Sequence, residues 1–218
     1  IHTHFSKIPV TPETCLHLHA LAQGGTSGDA GQWKTTQNDI IEIFQDGRRE
    51  VRFRPLAPDL VPEAMYALCL DYQHAIDQLK ITPLLATACF VLDFLCIHPF
   101  RDGNGRISRL LTLLLCYHQG HEVGKYISFE RIIEQSKQDY YEALKTSSTG
   151  WHQGEHDVLP WFTFLLSTWR RAYREFEERA ERQRPKRGAK TDLVEYTLQS
   201  MISPFGICLL YTSDAADE

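Results

Sequence analysis

Hydrophobic positions along this chain fall mostly at helical spacing. Thr11-Pro12-Glu13 is a helix start: a hydroxyl to cap, a proline at the first turn, then an acid. The helix it opens should run to about Gln23 and stop at Gly24-Gly25. Met65, Leu68, Cys69, Tyr72, Ile76 and Leu79 recur every three or four residues, with Pro62 near the start. Thr82-Pro83 should cap a helix over 83–97 that is apolar nearly all round and therefore central. Another apolar helix is expected from about Gly105 to Gln119, ending at Gly120. Further helices are expected at about 129–136, 138–147 and 158–183.

Alternation by twos stands out in one place. Ile40 to Phe44 and Glu50 to Phe53 are short alternating runs, and Gln45-Asp46-Gly47-Arg48 between them carries the Asp-Gly pair of a tight hairpin. On the second run Val51 and Phe53 should face one way, Arg52 and Arg54 the other. The pattern as a whole predicts an all-α fold with one small β-hairpin.

Composition narrows the function classes. The 218 residues suit one domain, or one plus a fragment, and 43% hydrophobic content supports a sizeable core. A net charge of −5 argues against nucleic acid as the main partner. The longest apolar run, Leu84 to Ile97, contains Asp93 and is too short to cross a bilayer. No signal peptide is apparent. Six cysteines without CxxC spacing read as reduced core residues of a cytoplasmic protein. His17 and His19 lie two apart on a helix and point to different sides, so they read as packing or surface groups rather than a metal pair.

The ends of the chain read differently from its middle. It begins at Ile1 without methionine, which predicts an incomplete N-terminus. Pro185 and the basic residues 186–190 read as a linker, and Asp192 to Met201 as an amphipathic helix. Beyond Ser203-Pro204 the periodicity fails, and residues 208–218 read as a foreign tail.

The chemistry concentrates in IHPFRDGNGRISRLL, Ile97 to Leu111. Pro99 breaks the first helix after His98. Gly103-Asn104-Gly105 would expose consecutive backbone N–H groups at the start of the next helix, where unpaired donors and the helix dipole both favour an anion. Arg106 and Arg109 share a face three residues apart and suit a di- or triphosphate. Asp102 would repel phosphates unless a cation lies between, and Mg²⁺ held by one carboxylate plus phosphate oxygens resolves the conflict. His98, with an ordinary pKa near 6.5, can then take a proton from an incoming hydroxyl at physiological pH.

His98-Pro99-Phe100-x-Asp102-Gly103-Asn104-Gly105-Arg106-x-x-Arg109 resembles the full signature of the Fic (filamentation induced by cAMP) family in the Fic/DOC superfamily. The resemblance spans roughly Thr11 to Arg184. Gly31-Gln32-Trp33-Lys34 looks like the family's Gly-x-aromatic-basic segment, and the Asp46-Gly47 hairpin sits where the family carries its target-aligning flap. Tyr140-Tyr141-x-x-Leu144 and Pro160-Trp161 resemble its downstream helices.

The resemblance implies a Fic-type helical core with a β-hairpin flap over residues 1–184. It implies a basic linker at 185–190 and the start of a truncated winged-helix-like domain at 191–207. The implied activity is transfer of AMP from ATP to a Tyr, Thr or Ser hydroxyl of a target protein, releasing pyrophosphate. His98 would be the general base. Asp102 would hold Mg²⁺, with Mn²⁺ as a substitute. Nucleotide contacts are implied for Asp102, Gly103, Asn104, Gly105, Arg106, Ile107, Ser108, Arg109, Tyr140, Tyr141 and Leu144, and target contacts for Ile41, Ile43, Arg52 and Arg54 of the flap. Plain helix packing is the other reading of Tyr140 and Tyr141. Many relatives carry an inhibitory Ser/Thr-x-x-x-Glu-Gly/Asn helix whose glutamate pairs with the second arginine. No Glu-Gly or Glu-Asn occurs here, so Arg109 is expected to be free for ATP. No membrane partner is implied, nucleic acid would be met only through the winged helix, and a homo-oligomer is compatible. Transfer of another nucleotide or of phosphocholine, and a nucleotide-sensing regulator, remain alternatives.

Overall fold

The computed structural model describes residues 1–24, 28–44 and 46–183. The expected linker, winged-helix start and tail therefore lie outside the described residues. The chain divides into two units, Ile1–Phe176 and Glu177–Glu218. Of the second, only the end of one helix is described, where Arg182 pairs with Glu178 at 3.4 Å.

The fold is all-α with a hairpin. Seven helices are described: α1 (Pro12–Ala22), α2 (Val61–Asp77), α3 (Pro83–Ile97), α4 (Asn104–His118), α5 (Phe129–Gln135), α6 (Lys137–Ser148) and α7 (Leu159–Gln183). Strands β1 (Ile40–Ile43) and β2 (Arg49–Phe53) pair antiparallel between α1 and α2. Thr11 caps α1, its hydroxyl accepting from the Thr14 N–H at 3.3 Å. Thr82 stands at the N-cap of α3, but its hydroxyl makes no cap bond, and the proline alone sets that start. Leu79 is a second correction. Helix α2 stops at Asp77, Lys80 follows with a φ of +51°, and Leu79 lies exposed beyond the helix.

Helix α3 forms the centre, as its all-round apolar surface requires. Ten of its fifteen residues are buried, and it packs on α2 and α4. From the other side, Trp161 of α7 is buried and donates its indole N–H to the Ala88 carbonyl at 3.0 Å. Burial of a tryptophan of this kind stabilises by about 3–5 kcal/mol relative to alanine. The rigid α3–α4 pair carries the joint between them, residues 98–103.

The hairpin departs from simple alternation. Ile40 pairs with Phe53 and Ile41 with Val51, so Arg52 has no opposite residue. This is a β-bulge, and it turns the strand. Val51 is exposed, whereas Arg52 and Phe53 both line the inner cavity beside α3. The expectation that Val51 and Phe53 share one face fails because the extra residue shifts the phase. At the tip, Gly47 takes a φ of +83° and Asp46 accepts from the Arg48 N–H at 3.0 Å.

Candidate functional site

The joint between α3 and α4 is built from its own backbone needs. His98 closes α3 in the left-handed conformation, φ 51° and ψ 61°. Phe100 is fully buried, its ring stacked on His19 at 3.9 Å and on Trp33 at 5.2 Å. Asn104 is buried and turned inward. Its Oδ1 accepts from the Phe100 N–H at 2.9 Å and its Nδ2 donates to the Phe100 carbonyl at 2.7 Å. The asparagine side chain therefore ties the turn and leaves only its backbone N–H for a ligand.

Gly103 precedes α4 with a φ of +82° and has no side chain to cap the helix. A Cβ there would come within 3.2 Å of Gln23 Nε2. The first intrahelical bond runs from the Ile107 N–H to the Gly103 carbonyl. The amides of Asn104, Gly105 and Arg106 thus belong to the first turn, which has no intrahelical acceptors, and they form a ready anion site.

His98 is held in one tautomer. Its Nδ1 donates to the Leu95 carbonyl at 3.2 Å, which leaves Nε2 as the basic nitrogen. Burial pushes the imidazole down to about 4, and the nearby Lys34 and Arg52 charges add to this, against the Leu95 carbonyl and Asp102. This corrects the expected value near 6.5. The ring is neutral throughout the physiological range, so it is a base with an available lone pair and a lower intrinsic basicity.

The two arginines diverge. Arg106 reaches toward α1, donating to the Ala22 carbonyl at 3.4 Å and to Gln23 Oε1 at 3.3 Å, and it lies 3.6 Å from Asp102. Arg109 reaches the other way and pairs with Glu130 at the start of α5, 3.0 Å apart. Arg109 is therefore not free: an acid that the sequence pattern did not single out stands on it. Ile107 and Ser108, between them, face inward by helical phase. Ile107 is fully buried, and the Ser108 hydroxyl donates to the Gly105 carbonyl at 2.9 Å. Neither side chain is presented on the open side of α4.

Asp102 is 84% exposed and meets only the distant Arg106 guanidinium, so its carboxylate can take a cation. Among the described residues no three His, Cys, Asp or Glu side chains converge on a metal. One carboxylate beside free amides fits a hard ion that takes most of its oxygens from phosphates and water.

A cavity of about 30 Å³ adjoins His98, walled by Ile40, Arg52, Phe53, Leu95, Cys96, Leu144 and Ser148. Leu144 lines this cavity beside His98. Tyr140 is buried against Trp161 and Phe164, and burial pushes its phenol up to about 12. Tyr141 is exposed. On the hairpin Ile41 and Ile43 point outward, and Arg54 pairs with Asp39 at 3.3 Å. Arg52 points inward, its Nε buried without a partner.

His19, expected as a packing or surface group, supports the site. The Gly31 N–H donates to its Nδ1 at 3.0 Å, so Nε2 carries the proton and donates to the Asp102 carbonyl at 3.2 Å. Burial keeps it below its ordinary range. The signal was its spacing of four from the buried Cys15 on α1.

The fold and this joint define a helical protein that presents a neutral histidine beside an anion-receiving helix start. The Fic/DOC family model matches residues 9–116, and the chain belongs to that family. It is 26% identical over 144 residues to protein adenylyltransferase fic-1 of Caenorhabditis elegans, covering 65% of this chain and 25% of that protein. A Fido domain-containing protein of Dictyostelium discoideum is 27% identical over 99 residues, covering 45% of this chain and 65% of its own. Among solved structures, a Fic family protein of Desulfovibrio desulfuricans superposes with a TM-score of 0.63 at 24% identity, over 81% of this chain and 50% of that one. The chain therefore spans between a quarter and two thirds of these relatives' lengths. Among the described residues no helix is long and apolar enough to cross a membrane.

Proposed function

We propose that this chain transfers AMP from ATP to a hydroxyl side chain of a target protein. The observation that carries the reading is His98: a neutral imidazole with Nδ1 committed to Leu95 and Nε2 uncommitted, at a joint whose next turn offers unpaired amides. The adenylyltransferase name of the nematode relative supports the same class.

In this reading Nε2 of His98 takes the proton of the target Tyr, Thr or Ser hydroxyl. The hydroxyl oxygen forms a bond to the α-phosphorus, the bond from that phosphorus to the bridging oxygen breaks, and pyrophosphate leaves with the electron pair. The amides of Asn104, Gly105 and Arg106 receive the developing charge, and Arg106 and Arg109 hold the two departing phosphates. Asp102 would hold Mg²⁺, which would supply further neutralisation of the phosphate charge. Arg109 must leave Glu130 to take part. Leu144 and Tyr141 offer an apolar side for adenosine, and Ile41 and Ile43 of the hairpin offer one for the target.

The test is incubation of the protein and a cell lysate with α-labelled ATP and Mg²⁺. Label is expected on protein, and it should vanish in His98→Ala. Label that persists in that variant overturns the assignment of the base. Tight ATP binding with no label on any protein favours a nucleotide-sensing role instead.

A further inference from the structure

Three of the four carbonyls from Ile97 to Phe100 are held by one short segment, residues 34–38. Lys34 donates its backbone N–H to the Pro99 carbonyl at 2.8 Å and its Nζ to the Ile97 carbonyl at 3.3 Å. Lys34 Nζ also donates to Asn38 Oδ1 at 3.0 Å, and Asn38 Nδ2 donates to the Phe100 carbonyl at 2.8 Å. The residue between these anchors, His98, takes a left-handed backbone that a residue with a Cβ keeps only when its surroundings hold it. Lys34 is only 4% exposed, and its ammonium bonds carbonyl and amide oxygens rather than a carboxylate. A buried ammonium without a paired carboxylate is costly, and what this one holds in return is the Ile97 carbonyl and Asn38.

We propose that Lys34 is a positioning residue for the transfer step: with Asn38 it clamps the backbone on both sides of His98 and so fixes the direction of Nε2. This rests on His98 being the base. The groups that face the imidazole are Lys34 from this segment, Arg52 from β2, Asp102 from the joint and the Leu95 carbonyl from α3. Two of them are cations, so the clamp also works against protonation of the ring it positions. Lys34 itself is lowered to about 8 by burial, with Asp39 opposing. It therefore loses its charge in mildly alkaline solution while its N–H donors remain.

The experiment compares Lys34→Met, Lys34→Arg and Asn38→Ala with the parent chain. Three readouts are taken: kcat and KM for ATP, the NMR titration of the His98 ring, and thermal unfolding. Lys34→Met is expected to lower kcat at least tenfold, to leave KM for ATP within twofold, and to raise the pH at which His98 titrates. Lys34→Arg keeps the charge and a donor and should recover part of kcat. Asn38→Ala should lower kcat several-fold without moving the His98 titration by as much. A folded Lys34→Met protein with unchanged kcat, or one whose His98 titration is unmoved, overturns the proposal. If Lys34→Met does not fold, Asn38→Ala decides, and unchanged kcat there overturns it. If the parent chain transfers nothing, the functional reading fails, and the His98 titration still decides whether Lys34 acts on the ring.

Discussion

Arg109, in the second turn of α4, and Glu130, in the first turn of α5, form an ion pair 3.0 Å long. The glutamate is 72% exposed and the arginine 29%. An ion pair this open contributes on the order of 0–1 kcal/mol, because water screens it and two long side chains must be ordered. It is strong enough to compete for Arg109 and weak enough to yield to a triphosphate.

Glu130→Ala should therefore tighten nucleotide binding. The expected change is about two- to fivefold in Kd for ATP, the equivalent of roughly 0.4–1 kcal/mol. Calorimetry on the Glu130→Ala and parent chains measures it. Adding 0.5 M NaCl should shrink the difference, since exposed pairs weaken with ionic strength. Equal affinities at low salt would show that the pair exerts no hold on Arg109.

The pH dependence follows from the lowered His98. Its folded-state value of about 4 lies below the ordinary 6.5. The base is thus neutral from pH 8 down to 5, and transfer should be flat over that range with respect to this group. Stability has the opposite feature. Between about pH 6.5 and 4 the unfolded chain binds a proton at this histidine and the folded chain does not, so stability falls as pH falls. The loss is at most about 3 kcal/mol from this group. Urea titrations at pH 7 and 5 should show a smaller difference in His98→Gln than in the parent.

Much of this architecture is legible in the sequence. The run 83–97 marks its helix because it is apolar nearly all round, and 105–119 marks the next by an apolar stripe opposite its arginines. His98, Asp102, the glycines and the arginines were legible because a junction of helices concentrates rare types in few positions. What the pattern could not supply was contact at a distance. Glu130 lies 21 residues after Arg109, and nothing in its neighbourhood marks it as different from any other first-turn acid. Lys34 looked like one basic residue after an aromatic, and its role comes from carbonyls more than 60 positions away. The bulge at Arg52 was hidden because alternation assumes perfect pairing, and one extra residue inverts it. The basicity of His98 departs from its ordinary value for a related reason, since burial is a property of the packed chain.

Asn104 offers a cleaner test of the joint. Its two side-chain bonds to Phe100 are buried, at 2.9 and 2.7 Å. Asn104→Ala removes the partner of the Phe100 N–H, whereas the Phe100 carbonyl keeps Asn38. One buried donor is orphaned, and the expected cost is about 1–3 kcal/mol. Denaturation measures that cost. ATP binding should weaken further than stability alone explains, because the turn that aims the Asn104, Gly105 and Arg106 amides is loosened. A variant that binds ATP normally would place the anion site elsewhere.

Arg52 should behave in the contrary way. Its Nε is buried without a partner beside an otherwise largely apolar cavity, and an unsatisfied donor there carries a desolvation cost of about 1–3 kcal/mol. Methionine has similar length and no polar hydrogen, and it can fill the same space against Phe53 and Leu95. Arg52→Met is therefore expected to unfold at equal or higher urea concentration, with a gain of up to about 1 kcal/mol. Removing this cation should also raise the pH at which His98 titrates, since Arg52 is one of the two charges holding it down. If the variant is stable yet transfers AMP more slowly at saturating ATP, the arginine is kept for substrate. A destabilised variant would mean instead that the guanidinium has bonding partners in solution, and its inward position would then be structural.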